Sequence, residues 1–197
     1  VVFVLATAVI VSASSTSNVS DELTNLKRYY ATVNKLTDWN EVLLFASQGM
    51  LTSDIEISEP EYEENNAVSC SQLILISIAR GFYPDTYLEN LNLTTALAEM
   101  QNDSGLFGNV QAQYMAILAL DAAKTSYQKE AAVKELIAFQ REDGSFSEND
   151  AIQNTSLAVS ALCFYQKDPE VKSAIDRAIS FLKNAKAKNS IEISWKI

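Results

Sequence analysis

QNDSGLF at 101–107 and QREDGSF at 140–146 share the pattern Gln-x3-Gly-x-Phe, 39 residues apart, carried by Gln101, Gly105 and Phe107 and by Gln140, Gly144 and Phe146. What flanks the pattern decides the fold. Upstream of the second copy, AAVKELIAFQ at 131–140 places Ala132, Val133, Leu136, Ile137 and Phe139 near one helical face, with Lys134 and Glu135 turned away. That spacing predicts an amphipathic outer helix. Downstream of the two copies, YMAILALDAA at 114–123 and LAVSALCFY at 157–165 are apolar nearly all round, which predicts helices buried on several sides. Three apolar triplets, Leu73-Ile74-Leu75, Ala116-Ile117-Leu118 and Ala158-Val159-Ser160, superpose at successive offsets of 43 and 42 residues. The expected unit is an outer helix, a Gln-x3-Gly-x-Phe turn and an inner helix. Each glycine falls where an outer helix must stop and the chain reverse, a position that suits positive φ and no Cβ. Phe107 and Phe146 can then pack the corner, and the Gln amides can bond free backbone groups at the end of the next helix. A structural role for the turn follows, since it holds no strong acid, base or nucleophile.

Only 5 Gly and 3 Pro in 197 residues, with long stretches rich in Ala, Leu, Ile and Glu, favour an all-α chain. The expected helices run near 21–35, 39–48, 67–81, 91–101, 110–123, 129–140, 152–166 and 170–186. SDIEISEPEYEEN at 53–65 reads as a solvated acidic loop in which Pro60 breaks any helix. The tail from 187 to 197 loses the pattern.

VVFVLATAVIV at 1–11 has the length of a signal-peptide apolar region, and Ser12-Ala13-Ser14-Ser15 suits cleavage. Residues 1–20 are thus expected to be a truncated export signal and linker, too short for the roughly 20 apolar residues of a membrane span. Cys70 and Cys163 read as small buried hydrophobes, although export would permit one disulfide. Sequons stand at Asn18, Asn92, Asn102 and Asn154. With no His, the chain lacks the means for a His-ligated metal, a Ser-His-Asp or Cys-His nucleophile, or a His base. A net charge of −10 without a Lys/Arg cluster argues against nucleic acid.

With its two turns, the sequence resembles the prenyltransferase and squalene-cyclase repeat family, whose signature is a helix ending in Gln, a few polar residues, Gly, then an aromatic. DWNEVLLFASQG at 38–49 is similar to the opening hairpin of exported bacterial proteins carrying such repeats. The resemblance implies an α/α toroid over 21–186, built of antiparallel helical hairpins. About four hairpins would make it partial or open. After Phe181-Leu182 the pattern departs, with Lys186 and Asn189 where Gln and Gly would stand. The family's activities do not carry over. The Asp-x-Asp-Asp of the cyclases, the Asp/Cys/His zinc set of the prenyltransferases and the Gly-Cys-Gly-Glu-Gln of thioester proteins are all missing, Cys70 lying in Val-Ser-Cys-Ser-Gln. Cobalamin carriers, which hold ligand on a similar toroid by surface contacts, remain comparable.

The resulting expectation is a non-catalytic module, exported to the surface of a Gram-positive bacterium, that binds a small molecule or surface partner without a metal or other cofactor. Polar residues near the starts of the inner helices are the candidate ligand contacts: Asn66, Gln72, Gln111, Gln113, Tyr114, Gln153 and Asn154. Capping and inter-helix bonding is the competing role for each. The rival readings are a fragment of a carbohydrate- or terpenoid-active enzyme and a structural spacer. Carboxylates for the enzyme exist in Glu142 with Asp143, Glu148 with Asp150, and the cluster from Glu59 to Glu64. Asp121, on an apolar helix, is expected to face solvent near the helix end.

Overall fold

A computed structural model describes residues 34–39, 41, 42, 46 and 55–186. The expectations for 1–33 and 187–197, and for most of the helix at 39–48, fall outside these residues. The described chain is mostly helical, with six α-helices: α1 (Ala67–Ala79), α2 (Leu93–Glu99), α3 (Val110–Ala123), α4 (Lys129–Ala138), α5 (Ala151–Leu162) and α6 (Pro169–Asn184). Trp39, Glu41, Val42 and Ala46 also have helical backbone. Lys35 does not belong to a helix as expected. Lys35–Leu36 forms β1, which pairs in parallel with β2 (Glu56–Ile57), so the acidic segment also contains a strand. Leu36, Val42 and Ile76 bury together beside Trp39, Ile55 and Ile57, which ties this small ladder to α1.

Local sequence explains where most helices start. Asn66, Asn92 and Asn109 each offer a side-chain oxygen to free N–H groups of the first turn, and Asp168 does the same ahead of Pro169. Helix ends are equally local. The first helix stops at Ala79 because Gly81 takes φ +81°, while its N–H bonds Ile78 O at 2.9 Å and that of Phe82 bonds Ser77 O at 2.8 Å. This is a Schellman closure. A matching pair closes α3, where Thr125 N–H reaches Leu120 O at 2.9 Å and Lys124 takes the left-handed conformation.

Burial separates two kinds of helix. In α3, Ala112 to Leu120 are buried without a break, and α1 buries Leu73 to Ser77 in the same manner. By contrast, α6 buries only the stripe Val171, Ala174, Ile175, Ala178 and Leu182. The helices α1, α3 and α5 pack side by side with α3 in the middle, while α2, α4 and α6 lie against α1, α3 and α5 respectively. Tyr114 and Asn154 join near the starts of α3 and α5, and Asp121 and Tyr165 join near their ends, so the two helices run in the same direction.

The two quoted turns make the same bonds. Gly105 N–H reaches Asn102 O and Asn102 N–H reaches Leu106 O; Gly144 with Arg141 and Arg141 with Ser145 repeat the pair. Gln101 Nε2 donates to Gly105 O and Gln140 Nε2 to Gly144 O, both at 3.1 Å. The second partner of each amide is not at the end of the next helix in the chain. Gln101 bonds both backbone groups of Gln128, which precedes α4, and Gln140 donates to Ala174 O inside α6. Each Gln thus spans from its own turn to the following outer helix. The glycines permit this approach: a Cβ on Gly105 would meet Ala131 at 2.6 Å, and one on Gly144 would meet Arg177 O at 2.5 Å.

These geometries predict unequal costs for the same substitution. Gly144→Ala, strained in φ and driven into the α6 backbone, should destabilise the fold by about 2–4 kcal/mol. At Gly81, where a Cβ meets nothing within 4 Å, Ala should cost only about 1–2 kcal/mol for its left-handed backbone. Urea denaturation of both variants checks the order; equal losses would contradict the packing role of Gly144.

Candidate functional site

Of the predicted ligand residues, the structure brings Tyr114 and Asn154 together in one hydrogen bond. Asn66 caps α1, its Oδ1 accepting from Val68 and Ser69 N–H at 3.0 and 3.2 Å, while its Nδ2 donates to Glu63. Gln113 is fully buried: its Oε1 accepts from Phe107 N–H at 2.8 Å and its Nε2 donates to Gly105 O and Ala132 O. Buried Tyr114 donates to Asn154 Oδ1 at 2.8 Å, and Asn154 Nδ2 donates to Asn149 O. Gln72 and Gln153 are half-buried and Gln111 is exposed. Four of the seven therefore bond and cap within the protein.

Gln113 belongs to the turn itself, which the sequence pattern did not reveal. Thr155 plays the matching part in the second turn, where its Oγ1 accepts from Phe146 N–H at 3.1 Å. They stand 42 residues apart, the inner-helix offset, whereas the turns are 39 apart. The three extra residues lie between Phe146 and Thr155. The same alignment puts Cys70 in this place on α1, and its Sγ donates to Leu93 O at 3.3 Å, at the start of α2. Burial pushes the Cys70 thiol up to about 12, and that of Cys163 is raised for the same reason; both cysteines are free.

Asp121 does not face solvent. Its side chain is 15% exposed and accepts from Lys129 Nζ at 3.0 Å, Tyr127 OH at 3.0 Å and Tyr165 OH at 2.6 Å. Burial first, then mutual hydrogen bonding and the Asp121 charge, raises the pKa of Tyr127; burial followed by its bond to Asp121 raises that of Tyr165. The cluster locks the ends of α3 and α5 to the start of α4. The other carboxylates are dispersed: Glu148 pairs with Arg141 at 2.7 Å, and Asp143 accepts from the Ser145 hydroxyl and N–H, which hold its carboxyl below the usual range. No described group of three or more His, Cys, Asp or Glu is placed to hold a metal.

A cleft opens instead beyond the end of α1, a place the sequence reading did not single out. It measures about 650 Å³ and is lined by Glu59, Arg80, Phe82, Tyr83, Thr86 and Tyr87, among others. Arg80 Nη1 donates to Glu59 Oε1 and, at 2.8 Å, to Tyr87 OH; that hydroxyl donates in turn to the same Glu59 oxygen. Burial first, then the Glu59 hydrogen bond, pushes Tyr87 up to about 12. Phe82 sits under the guanidinium at 5.1 Å and beside the Tyr87 ring at 5.7 Å. Even so, Phe82 is 51% exposed and Tyr83 is 80% exposed. The arrangement can hold a ligand by stacking and hydrogen bonds, and it contains no activated nucleophile among the described residues.

No family model, curated protein or solved structure matches the chain. No helix among the described residues is long and apolar enough to cross a membrane.

Asp121→Ala would leave two partly buried tyrosine hydroxyls and one lysine without their shared acceptor. A loss of about 2–4 kcal/mol is expected in urea denaturation, with Asp121→Asn in between. Alkaline pH provides an independent check. Tyr87, Tyr114, Tyr127 and Tyr165 all have pKa values raised by burial above the ordinary 10.0, so folding favours their neutral forms. Their contribution is fully present below pH 10.0 and is lost as pH climbs through the folded values. Chemical denaturation from pH 9 upward should show falling stability, less steeply in Tyr127→Phe.

Proposed function

We propose that this protein is a non-catalytic ligand-binding module, exported to the cell surface, on an open α/α-toroid scaffold of helical hairpins. The signal-like run at 1–11 supports export. Matching bonds in the two Gln-x3-Gly-x-Phe turns, together with buried α3 flanked by α1 and α5, support the toroid. The observation that carries binding is the cleft at the end of α1, where two aromatic side chains stand in solvent beside a paired Arg80 and Glu59. Rings held on a well-bonded turn offer a ligand contact area at small entropic cost. The ligand-contacting set moves accordingly from the starts of the inner helices to Glu59, Arg80, Phe82, Tyr83 and Tyr87.

A thermal-shift screen with cyanocobalamin, neutral oligosaccharides and farnesol is the test. At least one should raise the melting temperature, and Tyr83→Ala, a change at an exposed side chain, should abolish the rise without altering the unliganded melt. Folded protein indifferent to every compound would favour a structural spacer.

A further inference from the structure

We infer that the cleft at the end of α1 is a carbohydrate site that takes a neutral saccharide, an inference that rests on the binding reading above. The charges in the cleft are already compensated. Arg80 is paired with Glu59, their side chains 34% and 29% exposed, and Tyr87 bridges them as a neutral hydroxyl. An anionic ligand would meet the Glu59 carboxylate on a chain of net charge −10. A cation would have to displace the guanidinium. A wholly apolar ligand would strip water from a partly exposed ion pair without returning hydrogen bonds.

The pair still has capacity for a neutral polar ligand. Among the described residues, Arg80 spends only Nη1, and Glu59 accepts both of its bonds at Oε1. Nε and Nη2 of Arg80 and Oε2 of Glu59 thus form adjacent donor and acceptor sites. Neighbouring hydroxyls of a sugar, each both donor and acceptor, match that pair. The aromatic side chains supply the other half of the recognition, since the C–H faces of a pyranose stack on rings such as Tyr83 and Phe82. Both rings are presented by well-bonded backbone. Phe82 N–H is tied to Ser77 O at 2.8 Å, and Tyr83 O accepts from Thr86 N–H at 3.2 Å. A cleft of about 650 Å³ lies within the roughly 300–1,000 Å³ of small-ligand sites and leaves room for a short oligosaccharide.

The test is isothermal titration of the full chain with maltohexaose, cellohexaose, xylohexaose and chitohexaose, with cyanocobalamin and farnesol as the other arms. At least one saccharide should bind, with an affinity nearly independent of salt because the ligand is uncharged. Tyr83→Ala should weaken it by about tenfold or more while Tyr83→Phe stays within about threefold. Glu59→Gln should weaken it as well, with helical content and melting temperature checked for every variant. Saccharide binding unaffected by Tyr83→Ala and Glu59→Gln would overturn the site. Binding of cyanocobalamin or farnesol alone, lost in Tyr83→Ala, would overturn the carbohydrate class and leave the binding reading standing. Folded protein that binds none of the six would overturn both.

Discussion

The architecture depends on one interaction, made twice: a glutamine amide that holds the carbonyl of its own turn glycine and, with the same nitrogen, the backbone of the following outer helix. Backbone groups left over at a turn are costly if buried unpaired, and here a side chain supplies their partners at fixed distance. The missing Cβ of the glycine is the necessary complement. With any larger residue at Gly105 or Gly144, the outer helix would be pushed back and the glutamine would lose its second partner. Phe107 and Phe146 then fill the corner and are buried, as the pattern implies.

Around this clamp the polar groups of the interior are matched in pairs. Gln113 completes the first turn and Thr155 the second, and no buried side-chain nitrogen or oxygen among the described residues lacks a partner. Asp121 does comparable work at the opposite end of α3, collecting two tyrosine hydroxyls and a lysine. A partly buried carboxylate with three donors is well satisfied, so these groups favour one register of α3 against α4 and α5 over its neighbours. The end of α1 is built differently. There the Schellman turn carries the chain outward and leaves Phe82 and Tyr83 in solvent, beside polar groups whose bonding capacity is only partly used. Exposed aromatic surface and spare hydrogen-bonding capacity coincide there.

Much of the helical pattern was legible because its causes are local. The span 110–123 for α3 coincides with the helix observed, and the ends of α4 and α6 differ from expectation by no more than two residues. Apolar periodicity, Asn and Asp caps and scarce Gly and Pro all act within a turn or two of the chain. The strand pair Lys35–Leu36 and Glu56–Ile57 was not legible, since two residues carry no period and gain their stability from a partner 21 positions away and a face of α1. The candidate site was missed for the same reason. Arg80 and Tyr87 flank a turn, Glu59 sits in an acidic segment that reads as solvated, and only folding brings the three together.

Sequence by itself thus determined the helical class, the amphipathic stretch at 131–140 against the all-round apolar ones at 114–123 and 157–165, and the two turns, because periodicity and a glycine requirement are written in neighbouring residues. Tertiary structure alone decided what each polar side chain does. Gln113, Tyr114 and Asn154 look like ligand contacts when only their types and spacing are known, yet their amides and hydroxyl bond within the protein. Arg80 and Glu59 look like ordinary surface charges, yet they meet beside two exposed rings. A polar group's role is set by which partners and how much water reach it, and both are properties of the packed chain.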